Sequence, residues 1–345
     1  MKILVVGGAG YIGSHMLKRF QDTDYEIEIL DNLSTAFELN SQNYKLHNCD
    51  LSNKDHIYKI LKENKYEVVM HFASSINVGE SYINPKKYYE NNVINTLNLL
   101  NCMLELKILN FIFSSTAAVY GEPQNIPITE DEKISPVNPY GNTKAVIEKV
   151  LKDYDKAYGF KYISLRYFNA CGAHIDGSIG ERHKPETHLI PLILQTASGR
   201  RENFTIYGDD YDTKDGTCIR DYIHVMDIAE AHLLSLENLM QTKKSDIYNI
   251  GNSQGFSVME IFNLAEKITN TKISFEISAR RKGDPTQLIA DNKKIKDELN
   301  WSPKYSDLKT ILMTTWKWKK HLSKNLYFLT LINPFLNLNP YIFDF

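Results

Sequence analysis

The chain has 345 residues, 43% of them hydrophobic and 24% charged. That is enough for one or two domains with a sizeable core, and it excludes a disordered chain, a collagen-like repeat and a disulfide miniprotein. Forty Lys plus Arg against 42 Asp plus Glu leave a net charge of −2, so no basic surplus points to nucleic acid as a partner. The four cysteines, Cys49, Cys102, Cys171 and Cys218, lie far apart with no zinc-ligand spacing, which fits a reducing, cytoplasmic setting.

In chain order, Ile3–Val6 is a β-rich run that breaks at Gly7; it reads as a strand, being too short for a signal peptide. Tyr11–Phe20 has helical spacing, Glu26–Leu30 is a strand ending at Asp31, Lys45–Asn48 a weaker strand, and Asp55–Glu63 a helix. Val68–His71 is a strand, 86–105 a long helix, Phe111–Ser114 a buried-type strand, Asn142–Tyr158 a helix and Tyr162–Phe168 a strand. Strands alternating with helices of this length predict right-handed βαβ units on a parallel sheet. After about residue 170 the rhythm breaks. Residues 171–188 read as a polar loop. They precede helices near Leu189–Ala197, Val225–Leu239 and Val258–Thr269, and strands near Ile247–Ile250 and Ile273–Ile277. The expected fold class is α/β: a Rossmann-type doubly wound parallel sheet over 1–170, with a smaller C-terminal α/β lobe over 171–320 whose elements partly rejoin the main sheet. Residues 325–343 carry no formal charge but contain Pro334, Pro340 and four asparagines, which argues for a tail beside the body rather than a membrane span.

Residues 7–13, GGAGYIG, follow a strand and open a helix. Gly7, Gly10 and Gly13 permit a tight turn and a close backbone approach to a pyrophosphate, and the helix N-terminus adds free N–H donors. Asp31 ends the next strand, where a carboxylate accepts from both adenosine-ribose hydroxyls and repels a 2′-phosphate; NAD is thereby favoured over NADP. Asp50, after the third strand, reads as an adenine contact or, nearly as well, as a helix cap.

Tyr140 and Lys144, in YGNTK, lie one helical turn apart. A neighbouring ammonium and a positive nicotinamide ring favour the phenolate, so Tyr140 can take a hydroxyl proton while a hydride leaves the same carbon. Thr116, ending FIFSST, can hydrogen-bond the same oxygen. Taken alone, Tyr-x-x-x-Lys is common; after a glycine loop and a hydroxyl-tipped strand it reads as a reaction centre.

These residues resemble the extended short-chain dehydrogenases/reductases, and among them most closely the UDP-glucose 4-epimerases. The likeness runs from residue 1 to about 320 through GGAGYIGSH, LDNLS, HFA, VGES, YYENNV, FIFSSTAAVYG, PYGNTK, LRYFNACGA, DGTCIRDYIHVMDIA and YNIGN. It implies reversible interconversion of UDP-glucose and UDP-galactose on tightly held NAD through a 4-keto sugar, in galactose metabolism. Tyr140 would be the proton acceptor, assisted by Thr116, and Lys144 would bind the nicotinamide ribose. Gly7, Gly10, Tyr11, Ile12, Gly13, Asp31, Asn32, Asp50, Leu51, Phe72, Ala73, Asn92 and Tyr167 would meet the cofactor along with Tyr140 and Lys144. Thr116, Tyr140, Phe168, Asn169, Leu189, Arg220, Arg281, Asp284 and Leu288 would surround the UDP-sugar. The resemblance also implies a homodimer through the helices over 86–105 and 142–158.

Two positions depart from the pattern. Ile76 stands where some epimerases have lysine, removing one cationic contact. Leu288 is intermediate between a tyrosine that excludes N-acetylated sugars and a small residue that admits them, so that range stays open. Among rivals, a 4,6-dehydratase or a UDP-glucuronate decarboxylase needs acid and base groups directly after Thr116, where this chain has Ala117 and Ala118. A non-catalytic NAD-binding regulator would tend to lose the Tyr–Lys pair. His183 and His188, with Glu181 and Glu186, read as a solvated loop, and no metal is expected; His224 reads as structural, and Lys293–Lys296 as a solvated helix face.

Overall fold

The computed structural model describes residues 1–35, 44–281 and 284–332, with side chains as far as Leu322. The N-terminal half consists of β1 (Lys2–Val6), α1 (Tyr11–Phe20), β2 (Glu26–Asp31), β3 (Lys45–Asn48), α2 (Lys54–Asn64) and β4 (Val68–His71). It continues through α3 (Val78–Ile83), α4 (Pro85–Tyr88), a π-helical segment Tyr89–Ile94, α5 (Asn95–Glu105), β5 (Asn110–Thr116), α6 (Pro139–Tyr158) and β6 (Lys161–Tyr167). Then come β7 (Asn169–Cys171), α7 (Leu189–Ala197), β8 (Phe204–Tyr207), β9 (Ile219–His224), α8 (Val225–Thr242) and β10 (Asp246–Ile250). The last elements are β11 (Gly255–Ser257), α9 (Val258–Thr269), β12 (Phe275–Ser278), β13 (Gln287–Leu288), α10 (Lys293–Leu299) and α11 (Leu308–Ile332).

The main sheet has seven parallel strands in the order β10-β6-β5-β4-β1-β2-β3. Alternation along β1 sends Ile3 and Val5 to one face, against α1, α8 and α10, and Leu4 and Val6 to the other, against α2, α5 and α6. Both faces are apolar, as a parallel sheet covered by helices on each side requires. The order reverses between β1 and β4, and at such a switch point the loops leaving the strands part to form a crevice. The second core is built from α7, β8, β9, α9 and α11. β10 crosses back from this region as an edge strand of the main sheet beside β6, and α8 packs against α1 and β6.

The long helix expected over 86–105 is interrupted. The π turn at 89–94 inserts an extra residue per turn and rotates Asn92 inward, where it is 2% exposed. Its Oδ1 accepts from Ser75 N at 2.8 Å, and its Nδ2 donates to Ser75 O and Thr143 Oγ1. Helix α6 begins three residues earlier than the expected Asn142. Asn138 caps it, accepting from Gly141 N at 2.8 Å, and Pro139 takes the first helical position; the Asn-Pro pair is a start signal that the apolar spacing alone does not register. Strands β7, β8, β9, β11 and β13 and helix α11 were not among the expected elements. The first two carry three and four residues, too few to show a period of two. Of the uncharged tail, residues 333–345 lie outside the described residues, and no described helix is long and apolar enough to cross a membrane.

Gly7 sits at φ +76°, with the backbone of Ala73 against it: a Cβ there would lie 2.5 Å from Ala73 N. Gly7→Ala is expected to lower stability by about 1–3 kcal/mol through strain and overpacking, read as a reduced midpoint in urea unfolding.

Candidate active site

The cleft forms at the C-terminal edge of the main sheet. Gly7 N donates to Leu30 O at 2.9 Å and Phe72 N to Val6 O at 2.7 Å, so the glycine loop and the Phe72–Ala73 segment leave the sheet side by side. Gly13 packs on the same turn; a Cβ there would lie 2.3 Å from Gly7 O. Helix α1 has no side-chain cap at Gly10, which leaves its first N–H groups directed at the cleft. Tyr11 donates its hydroxyl to Gly172 O at 2.6 Å, joining the loop to the second lobe. Ile12 is half-buried against the first core cluster.

Asp31 does more than end β2. Its Oδ2 accepts from Ala9 N at 3.0 Å and its Oδ1 from Leu33 N at 2.8 Å, so it braces the glycine loop. Partial burial raises its pKa against these two hydrogen bonds. Asn32 Nδ2 donates to Asp50 Oδ2 at 2.6 Å, tying the ends of β2 and β3 together; Asp50 Oδ1 also accepts from Ser52 N, a turn rather than a helix cap, and Asn53 caps α2. Leu51 is buried beneath them, and its carbonyl accepts from Asn98.

Thr116 and Tyr167 are paired neighbours on β5 and β6, so their side chains leave the same face of the sheet. Tyr140, in the first turn of α6, meets Thr116. Burial pushes the Tyr140 phenol up to about 12, and the Thr116 hydroxyl, as its hydrogen-bond partner, pulls the other way. Thr116 Oγ1 already accepts from Ala118 N at 3.1 Å, which leaves its hydrogen to point at the phenol oxygen. Lys144 is 2% exposed; its Nζ donates to Ser114 O at 2.7 Å and lies 4.8 Å from the centroid of the Phe113 ring. Burial brings its pKa down to about 7, with Glu148 opposing. The sequence reading has Lys144 acidify Tyr140. In the protein alone both charged forms are disfavoured by burial, and the pair needs a further positive charge in the cleft before the phenolate is favoured.

Sequence reasoning missed the polar scaffold behind this pair. Arg166 grips Glu148 with two donors, Nη2 to Oε2 at 2.7 Å and Nε to Oε1 at 3.0 Å, and both are buried. Ser115 Oγ donates to the same carboxylate, and Arg166 Nη1 donates to Tyr120 OH, which donates to Asn249. Tyr167 hydrogen-bonds the buried His232, whose ring lies 4.7 Å from that of Phe72. These hydrogen-bonded pairs lie 18 to 129 positions apart, and nothing in a single sequence joins them. His224 is structural as expected: its Nδ1 accepts from Met226 N at the start of α8.

Next to Thr116 in the chain, Ala117 packs with Val119, Phe168, Leu288 and Ala290. Leu288 pairs in register with Arg220 across β13 and β9. Arg220, expected with Asp284 around the UDP-sugar, is 7% exposed, pairs with Asp284 and donates to the carbonyls of Ile219 and Pro285. Arg281 lies over the Tyr207 ring, 4.0 Å from its centroid, and its carbonyl accepts from Asp284 N. Asn169 is exposed at the start of β7, and Leu189 opens α7 against the second core.

A glycine turn that a side chain would fill, an uncapped helix start and a carboxylate at the end of the second strand fit a dinucleotide. Residues 3–251 match the NAD dependent epimerase/dehydratase family. The chain belongs to that family. It is 46% identical to a UDP-glucose 4-epimerase of Lactobacillus helveticus over 93% of this chain and 97% of the relative. The structure of UDP-glucose 4-epimerase from Brucella ovis in complex with NAD superposes with a TM-score of 0.88 at 44% identity, covering 91% of this chain and 96% of that one. That of the UDP-Glc/GlcNAc 4-epimerase from Campylobacter jejuni superposes with a TM-score of 0.82 at 44% identity, covering 93% and 99%. Family members are NAD-dependent, and the Tyr–Lys pair of this one lies beside the crevice that would hold the coenzyme.

The depressed pKa of Lys144 has a defined sign. The unfolded chain binds a proton there up to about pH 10.5 and the folded cofactor-free chain only to about 7, so stability from this group rises as pH rises through that window. The stability of the cofactor-free protein relative to its Lys144→Met variant, followed by urea unfolding at several pH values, should therefore increase from pH 7 to pH 10.

Proposed function

We propose that this chain is a UDP-glucose 4-epimerase, interconverting UDP-glucose and UDP-galactose without net redox change. The observation that carries the reading is Tyr140 against Thr116 with Lys144 buried one turn away, at the same end of the parallel sheet as the glycine loop. NAD, when bound, supplies the hydride acceptor at sugar carbon 4 and a positive charge beside the phenol. Gly7, Gly10, Tyr11, Ile12 and Gly13 would line its pyrophosphate, Asp31 and Asn32 its adenosine ribose, Asp50 and Leu51 its adenine side. Phe72, Ala73, Asn92 and Tyr167 would wall the crevice towards the nicotinamide, and Lys144 would meet the second ribose.

Tyr140 takes the proton of the 4-hydroxyl as the carbon–hydrogen bond breaks, and returns it after the 4-keto sugar has presented its other face. Thr116 holds the substrate oxygen and the phenol together through its hydroxyl. Phe168 and Leu288 enclose the hexose. Asn169, Leu189, Arg220, Arg281 and Asp284 hold the UDP portion; Asp284 fixes the plane of the Arg220 guanidinium, and Arg281 reaches the diphosphate from the turn it shares with Asp284. Ala117 and Ala118 follow Thr116 in a tight turn and can move no proton, so elimination of water, the dehydratase step, has no acid and base there.

The same reading extends to assembly and place. Tyr89, Ile94 and Val146 are exposed apolar residues on the π segment and α6, which pack together; a homodimer would cover them. Separate buried thiols and no described membrane-crossing helix accord with a cytoplasmic enzyme.

Purified protein incubated with UDP-galactose should form UDP-glucose and should retain NAD through gel filtration; bound NAD without turnover would overturn the reading. Tyr140→Phe should keep its NAD and lose activity by about 10²–10⁴-fold, since only the proton acceptor is removed.

A second reading, acceptance of UDP-N-acetylhexosamines, is favoured by Leu288 against Phe168 and Ala117. A branched aliphatic side chain leaves room beside the sugar that a tyrosine ring would fill. Leu288→Tyr should lower turnover of UDP-N-acetylglucosamine far more than that of UDP-galactose, compared by kcat/KM on the two substrates.

A further inference from the structure

The loop before α7 carries E-x-H-x-x-E-x-H, residues Glu181 to His188. From sequence it reads as solvated. In the structure it packs between Tyr11 and Trp318. Glu181 is 2% exposed and the side chain of Glu186 3%. One donor atom from each of Glu181, His183, Glu186 and His188 lies within 4.8 Å of every other. The closest approaches are His188 Nδ1 to Glu181 Oε1 at 2.7 Å, His183 Nδ1 to Glu181 Oε1 at 3.1 Å and His188 Nδ1 to Glu186 Oε1 at 3.3 Å.

These contacts are close, yet the donor directions do not match them. His183 Nδ1 and His188 Nδ1 are buried and face Glu181 Oε1 at ion-pair distance, with an alignment short of a well-formed hydrogen bond. Glu186 Oε1 shapes its own loop, accepting from Thr187 N and His188 N at 2.9 and 3.0 Å, while its Oε2 is buried with no hydrogen-bond partner. Buried polar atoms are almost always paired. Imidazole nitrogens and carboxylate oxygens that crowd one point without aiming at each other are what a set of ligands around a shared cation looks like. Ligands bound at about 2.0–2.2 Å to one zinc ion lie about 3.3–3.6 Å apart; the closest pairs here lie at 2.7, 3.1 and 3.3 Å and the remaining ones within 4.8 Å.

The backbone is already held in place. Trp318 Nε1 of α11 donates to Glu181 O at 3.1 Å, His174 N donates to Ile179 O at 2.9 Å, and Gly180 leaves room for the Trp318 ring where a Cβ would lie 2.4 Å from it. Lys319 Nζ stands 4.0 Å from Glu186 Oε2, the outer limit of an ion pair. The His183 ring meets the edge of Tyr11, whose hydroxyl is bound to Gly172.

We propose that Glu181, His183, Glu186 and His188 bind one divalent transition-metal ion of the zinc class. The ion would fasten the loop that joins the glycine-loop wall to α7. Two imidazoles and two carboxylates suit zinc, cobalt or manganese and disfavour calcium and magnesium, which prefer oxygen alone. The ion would form coordinate bonds to the four side chains, and any proton on the ligating nitrogen of His183 or His188 would leave to solvent as it binds. The alternative is that this proton alone holds the cluster together.

The full-length protein, stripped with a chelator and dialysed, would be titrated with Co2+ and with Zn2+. The expected result is one equivalent bound per chain, visible d–d absorption of Co2+ in a nitrogen–oxygen environment, and a metal-dependent rise in melting temperature. His183→Ala leaves the Glu181–His188 pair in place and should weaken binding by about 10-fold or more; Glu186→Gln, a conservative change, should do the same. Folding of each variant would be checked by circular dichroism. A folded wild-type protein that binds no Co2+ beyond trace, or binding unchanged in both variants, would overturn the site and leave a proton-held cluster.

Discussion

The glycine loop can turn from β1 into α1 only because the chain leaving β4 is allowed to touch it. The backbone at Ala73 lies where a Gly7 side chain would be, and Gly13 fits over the same turn with no room for a Cβ. That contact brings the two segments together at the one place where the strand order reverses. The crevice that follows is a by-product of sheet topology, and the helix start that faces it is uncapped. Asp31 then serves two purposes: its oxygens hold Ala9 N and Leu33 N, and the same carboxylate is the group a ribose would meet.

Around Tyr140 and Lys144 the buried charges and amides are largely paired. Asn92 reaches Ser75 and Thr143 only because a π turn rotates it inward. Glu148 and Arg166 form a two-pronged pair beneath Thr116, and Ser115, Tyr120 and Asn249 use up the remaining donors and acceptors nearby. Removing one partner from such a network leaves a buried charge alone, which costs far more than the pair itself contributes. Tyr140 and Lys144 sit in this dry setting with the charged form of each disfavoured. Burial by itself thus works against the Tyr140 phenolate, and a cation entering the crevice would favour it.

Much of the first half was legible from the chain because its signals are local. A strand, a glycine turn, a helix and a strand ending in an acid succeed one another within about thirty residues, and each has its own period or turn chemistry. The helix that carries Tyr140 and Lys144 was read with a late start because an Asn cap followed by proline lies outside the apolar pattern. The second lobe was legible in its helices and in strands β10 and β12. Its other strands are two to six residues long and pair with partners far away, β9 with β7, β11 and β13, so that neither period nor neighbour announces them. Arg220 was visible as a cation, but not its commitment to Asp284 and two carbonyls.

The amino-acid sequence by itself determined the alternating α/β plan, the dinucleotide loop and the spacing of tyrosine and lysine on one helical face, since these follow from periodicities and turns that need no distant partner. Tertiary structure alone decided that β10 returns to the main sheet, that His232 backs Tyr167, and that a loop of apparently solvated histidines and glutamates closes on itself. Burial, and the pairing that burial demands, is a property of what surrounds a residue once the chain is packed, and a linear order does not contain it.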